Sequence, residues 1–127
     1  MDKLIEEKID YLHFSYVNVA SQKPLDATFS VEPITAVLCN YVNGRVPVFV
    51  AGGVSAPSIA EQALDYGASM VALGRTLIIN PNWVELVENG EEDKLTSFLK
   101  LDTLEEIKIP ATLMAIFEAL EGWVIVE

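Results

Sequence analysis

The chain has 127 residues, 51% of them apolar, enough to bury one core in one folded unit. Nineteen Asp and Glu against eight Lys and Arg leave a net charge of −11, a field that repels phosphate backbones and anionic headgroups, so neither nucleic acid nor membrane is an expected partner. The opening MDKLIEEKID lacks a basic stretch leading into an apolar one, no window approaches the ~20 apolar residues of a spanning helix, and a lone Cys39 makes neither disulfide nor metal site; a cytoplasmic protein is expected.

Lys3 to Lys8 mixes charge with Leu4 and Ile5 and reads, with Ile9, as the end of a helix that begins upstream and feeds a strand at Asp10 to Tyr16. A polar connection, NVASQKPLDATFS, follows. Ile34, Val37, Leu38 and Tyr41 then recur at i, i+3, i+4, i+7, the stripe of an amphipathic helix, with Ser30 as N-cap and Gly44 as stop. Val46, Val48, Phe49 and Val50 make a short β-branched run, suited to a parallel strand covered on both faces, that ends in Ala51-Gly52-Gly53. Ser55 is placed to cap the next helix, whose stripe is Ile59, Ala60, Ala63 and Leu64 and whose C′ residue is Gly67.

Met70 to Leu73 is the third strand, closed by Gly74-Arg75. Asn80-Pro81 signals a helix start, since proline at the first helical position forfeits no needed N–H bond; that helix should run to about Asn89, with Gly90 after it. Two further helical stretches are expected over Glu92 to Leu99 and Pro110 to Leu120, before the apolar Trp123-Val124-Ile125-Val126. No linker interrupts this course, so residues 1–127 read as a single segment. Alternating strands and helices demand an α/β fold with parallel strands joined by right-handed crossovers, a pattern that a doubly wound sheet and a barrel share.

Both glycine sites have the same design, in which a short apolar strand runs into small residues and then into a helix start. Glycine lets a phosphate oxygen approach the main chain, and a helix N-terminus aims unpaired N–H groups and a positive dipole end at it. Arg75 adds a planar cation able to hold a phosphate through two hydrogen bonds. In an eight-stranded barrel, this is the phosphate site made by the loops after strands seven and eight.

The run PVFVAGGVSAPSIAEQALDYGASMVALGRTLIINPNW resembles strands seven and eight of Old Yellow Enzyme-type flavoproteins, in which a glycine after strand seven and a Gly-Arg pair after strand eight hold the FMN phosphate. DYLHFS is similar to that family's sixth strand and IP..L......EGW to its C-terminal tail, so the resemblance covers nearly the whole chain. It implies strands six to eight of a partial TIM (β/α)₈ barrel plus C-terminal helices, the C-terminal portion of an NAD(P)H-dependent oxidoreductase that passes hydride through FMN to an activated alkene or related acceptor. Gly52, Gly53, Gly74 and Arg75 are the implied cofactor contacts, FMN the cofactor, and NADH or NADPH the reductant. The remaining barrel strands are the implied partner.

No catalytic residue carries over. The family's oxyanion-holding His pair or His/Asn pair, its proton-donating tyrosine and its flavin-ring contacts belong to strands one to five, and Tyr11 and His13 lie on the wrong strand for those roles. The resemblance therefore implies an isolated chain without activity. His13 and Ser15, on one strand face, are read as interior hydrogen-bonded residues, Cys39 as a packing residue, Trp83 and Trp123 as packing anchors, and Glu88 to Asp93 as a solvated helix end. Two rival readings are another phosphate-binding barrel enzyme, such as a sugar-phosphate isomerase or synthase, and a truncated, non-catalytic interaction module. Three parallel strands leave two unpaired edges, which predicts a homo-oligomer.

Overall fold

Three short β-branched and aromatic segments pair as a parallel sheet in the computed structural model, which describes residues 1–26, 31–100, 107–120 and 122–126. The chain divides into two compact units, Met1–Gly74 and Arg75–Glu127.

In the first unit, helix α1 (Asp2–Glu6) precedes β1 (Leu12–Ser15), α2 (Ile34–Val42) leads to β2 (Val48–Ala51), and α3 (Pro57–Asp65) leads to β3 (Met70–Ala72). The sheet order is β1-β2-β3, so β2 is central, as the expected crossovers require. Leu12 pairs with Val48, and Phe14 with Val50, which in turn pairs with Val71. This row faces the helices, and its Leu12, Val48 and Val50 lie in a core completed by Val19, Cys39, Val42, Val54, Ala63 and Ala68. The alternate row reads differently. Phe49 lies between His13 and Met70, and Ala51 between Ser15 and Ala72. His13, Ser15 and Met70 are exposed, so β2 is covered on one face among the described residues rather than on both. His13 is thus not an interior residue of this unit: strand alternation turns it away from the helices.

Helix α2 buries a face other than the expected stripe: Thr35, Ala36, Cys39 and Val42 go inward, while Tyr41 is exposed. The small side chains Thr35, Ala36 and Cys39 let this face come close to its neighbours, and a Cβ added at Gly67 would sit 3.1 Å from that of Cys39. Cys39 is a packing residue, and burial pushes its thiol pKa up. Pro33 is the N-cap, whereas Ser30 lies outside the described residues. The helix stops at Asn43, one residue before the expected Gly44.

Ser55 does not cap α3. Pro57 holds the first helical position and restricts the residue before it to extended backbone, so the N-cap is Ala56, at φ −136° and ψ 154°. The other end is as expected: Gly67 N–H donates to Leu64 O at 2.8 Å and Ala68 N–H to Ala63 O at 3.1 Å, the paired bonds of a Schellman motif.

The second unit holds α4 (Arg75–Ile79), α5 (Trp83–Glu88), a 3₁₀ turn (Glu92–Lys94) and α6 (Ala111–Ala119). The helix expected after Gly74-Arg75 begins at Arg75 itself rather than at Asn80-Pro81, and α5 starts two residues after Pro81 because Asn80 serves elsewhere. Its buried amide accepts from Thr96 N–H at 2.9 Å and donates to Thr96 O at 2.9 Å. That clasp, with Leu99 N–H donating to Ile125 O at 2.7 Å, holds residues 95–100 out of a helix, so the helix expected over Glu92 to Leu99 is reduced to the 3₁₀ turn. A second core gathers Leu99, Phe117 and Val124, with Ile78, Ile79, Leu113 and Met114 against it. Trp83 is buried, and Trp123 packs on Phe117 with ring centroids 5.5 Å apart. Pro110 starts α6 close to the expected place.

Candidate anion-binding site

The parallel register carries β2 and β3 out of the sheet side by side, with Ala51 opposite Ala72, so Gly52-Gly53 and Leu73-Gly74 emerge at the same end, the C-terminal edge of the strands. Gly52 at φ 137° and Gly53 at φ 63° occupy backbone that side chains rarely adopt. A Cβ at Gly52 would collide with the Tyr16 carbonyl oxygen, and one at Gly53 would lie 2.8 Å from the carbonyl oxygen of Val17. Both glycines are therefore required by the fold itself, because the loop leaving β1 crosses directly against them.

That loop, Tyr16 to Gln22, is a strap tied at every turn. Val19 N–H donates to Gly52 O at 3.0 Å, and Thr35 Oγ1 donates to Val19 O at 2.6 Å in the core. Asn18 Oδ1 accepts from the Ala20 and Ser21 amides, each at 2.9 Å, and Gln22 Oε1 accepts from Val17 N–H at 2.7 Å. The sequence reading took this stretch as a plain polar connection. Asn18 itself was the available signal, because an Asn side chain in a connection folds back on the amides two and three residues on.

Gly74 is different. Its φ lies outside the left-handed region, and a Cβ added there would meet nothing within 4 Å. Neither backbone conformation nor packing among the described residues calls for glycine at this position, so the ordinary reason for a turn glycine fails here. The open main chain is free to be approached from outside. Arg75 follows at once as the first residue of α4, exposed, its Nη1 donating to Trp123 O at 3.0 Å. A guanidinium carries five donors, so this one bond leaves it able to bind an anion. Arg75, Ala119, Leu120, Gly122 and Trp123 line a shallow, open hollow.

The sheet thus brings Gly52, Gly53 and Gly74 to one end of the first unit, and Arg75 joins them through the chain as the first residue of the second. Gly53 N–H has no acceptor among the described residues. An added anion could take that donor together with the open main chain at Gly74. Tyr11 and His13 belong to the other end of β1. Tyr11 stacks on Phe49 at 4.7 Å, and His13 meets the same ring edge-on at 6.4 Å.

The remaining polar clusters serve the surface. The Tyr41 hydroxyl donates to Asp2, Arg45 Nη1 bonds the same carboxylate at 2.7 Å, and these two partners hold the Asp2 carboxyl below its usual range. Lys94 pairs with Glu91 at 2.5 Å within the acidic stretch after α5. Among the described residues no group of three or more His, Cys, Asp or Glu could hold a metal, and no helix is long and apolar enough to cross a membrane.

Residues 1–94 match the sequence model of the NADH:flavin oxidoreductase / NADH oxidase family. The chain is 28% identical over 127 residues to the Bacillus subtilis protein named "Probable NADH-dependent flavin oxidoreductase YqiG", covering 98% of this chain and 33% of that protein. It is 33% identical over 116 residues to the NADH:fumarate oxidoreductase of Klebsiella pneumoniae, covering 89% of this chain and 12% of that protein. Against the NADH:acrylate oxidoreductase of Vibrio harveyi it is 28% identical over 121 residues, covering 93% of this chain and 12% of that protein. The chain therefore spans a third or less of the length of these relatives.

Proposed function

Because the chain belongs to the NADH:flavin oxidoreductase / NADH oxidase family, we propose that it is the part of a flavin oxidoreductase that grips the FMN phosphate, with β1, β2 and β3 as strands six, seven and eight of a (β/α)₈ barrel. The strand order, the parallel register and the helices gathered on one face of the sheet fit that placement. The row His13, Phe49, Met70 and Ser15, Ala51, Ala72 would then look into the barrel, which would account for its having no covering helix among the described residues. The free edges of β1 and β3 would pair with the remaining strands, or with another copy of the chain.

Gly53 and Gly74 would present main-chain donors to the phosphate and Arg75 its guanidinium, with Gly52 shaping the turn. The observation that carries this reading is Gly74, a glycine the described fold does not need, immediately before an exposed arginine at a helix start. The bound flavin would supply two-electron hydride chemistry, and this chain's residues would fix where its phosphate end sits. NADH or NADPH would be the reductant. The names of two relatives point to fumarate and acrylate, alkenes activated by a carboxylate, which supports an activated alkene as acceptor.

The test is flavin affinity in a barrel completed by the remaining strands. Arg75→Ala should weaken FMN binding about 10- to 100-fold, the worth of one charge-assisted hydrogen bond at roughly 1.5–3 kcal/mol, and leave riboflavin, which lacks the phosphate, unaffected. Equal FMN affinity in wild type and variant, read by fluorescence titration, would remove Arg75 from the site.

A further inference from the structure

We infer that Thr35 and the strap Tyr16 to Gln22 are positioning elements for the phosphate turn, setting the direction in which the Gly53 amide points. The inference rests on the flavin-phosphate reading of Gly53.

In a trans peptide the C=O and the next N–H lie in one plane and point in opposite directions. Gly52 O is held by Val19 N–H at 3.0 Å, so the Gly53 N–H of the same peptide is aimed away from the strap. Val19 in turn is fixed from both sides: its side chain is 0% exposed in the core, and its carbonyl takes the Thr35 hydroxyl at 2.6 Å. Thr35 is itself 0% exposed at the start of α2. The far end of the strap is closed by Ile34 N–H donating to Gln22 O at 2.7 Å, and its near end by the Gln22 side chain on Val17 N–H. The strap is thus a relay of oriented dipoles from the α2 terminus to the glycine turn. A turn of two glycines is otherwise the most pliable piece of chain available, and an anion site gains strength only when its donors are aimed beforehand. Touching no ligand, Thr35 acts through Val19 and Gly52.

The test uses the full 127-residue chain. FMN and inorganic phosphate are titrated separately, with riboflavin as the phosphate-free control, and the Gly53 amide resonance is followed. In wild type that resonance should move with FMN and with phosphate but not with riboflavin. Thr35→Val, checked for native circular dichroism, should weaken both responses about five- to tenfold, the worth of one buried hydrogen bond, and Thr35→Ser should restore them. Should Thr35→Val fail to fold, Gln22→Ala unties the strap outside the core and is expected to act in the same direction. A wild-type amide indifferent to FMN and phosphate would sink the flavin-phosphate reading and this inference together. A wild-type response kept at full affinity in Thr35→Val, or in Gln22→Ala where that variant stands in, would sink the positioning role alone.

Discussion

Replacing Gly52 and Gly74 in turn by alanine should separate a glycine kept for the fold from one proposed to face the flavin phosphate. At Gly52 the added methyl runs into the Tyr16 carbonyl and the φ of 137° is lost to alanine. Backbone strain of about 1–3 kcal/mol, together with about 1 kcal/mol for a loosened Val19 to Gly52 bond, gives a loss of roughly 2–4 kcal/mol. That is a large fraction of the ~5–15 kcal/mol typical of a whole domain. At Gly74 the backbone is ordinary and the space open, so alanine should be neutral or raise stability by up to about 1 kcal/mol by stiffening the unfolded chain. Urea denaturation followed by far-ultraviolet circular dichroism reads both differences in one assay. FMN affinity should reverse the order of blame: on the proposed reading the methyl would take the space the phosphate needs next to the main chain, so Gly74→Ala should lose about tenfold or more. A Gly74→Ala protein destabilised as severely as Gly52→Ala, or one that binds FMN as wild type does, would refute the reasoning.

Acid should release α1 from α2. Asp2 has a lowered folded-state pKa, so its contribution is full above the unfolded value near 3.9 and fades as pH falls through the lower folded value. The Tyr41 ring resonances should report that step, and Asp2→Asn should abolish it; an unchanged titration in the variant would exclude the Asp2 to Tyr41 contact. The chain alone should associate, since β1 and β3 offer open edges among the described residues and Tyr11 and Met70 stand on an uncovered face. Light scattering at tens of micromolar checks this, and a stable monomer with concentration-independent unfolding would contradict it.

β2 and β3 were legible because short valine-bearing apolar runs that end at glycine have few other uses, β1 from its aromatic and apolar residues alone, and the Gly67 stop because a Schellman turn is a local device. The face buried by α2 was not. Two overlapping stripes are available on that helix, and the more apolar one, through Ile34, Val37, Leu38 and Tyr41, lost to the smaller residues that let the helix approach its neighbours. Asn80 misled for a related reason: it has the chemistry of a cap, but Thr96, far along the chain, claims its amide. Helix α4 is too short for any period to show. Of the candidate site, the glycines and Arg75 stood in plain view. The strap did not, since it is built from side-chain bonds to backbone that only a folded loop brings together.

Every residue proposed for the phosphate grip falls in one unbroken stretch, 52–75, which runs from the end of β2 through α3 and β3 to the first residue of α4. On the proposed reading, gene rearrangement could carry the cofactor's anchor as a single block of sequence. A region similar to this chain makes up 33% of one relative and 12% of two others, so the length of sequence around it differs widely. For a designer the same contiguity means that the anchor can be transplanted by copying one short run of sequence, provided the strap that leans on its first glycine travels with it.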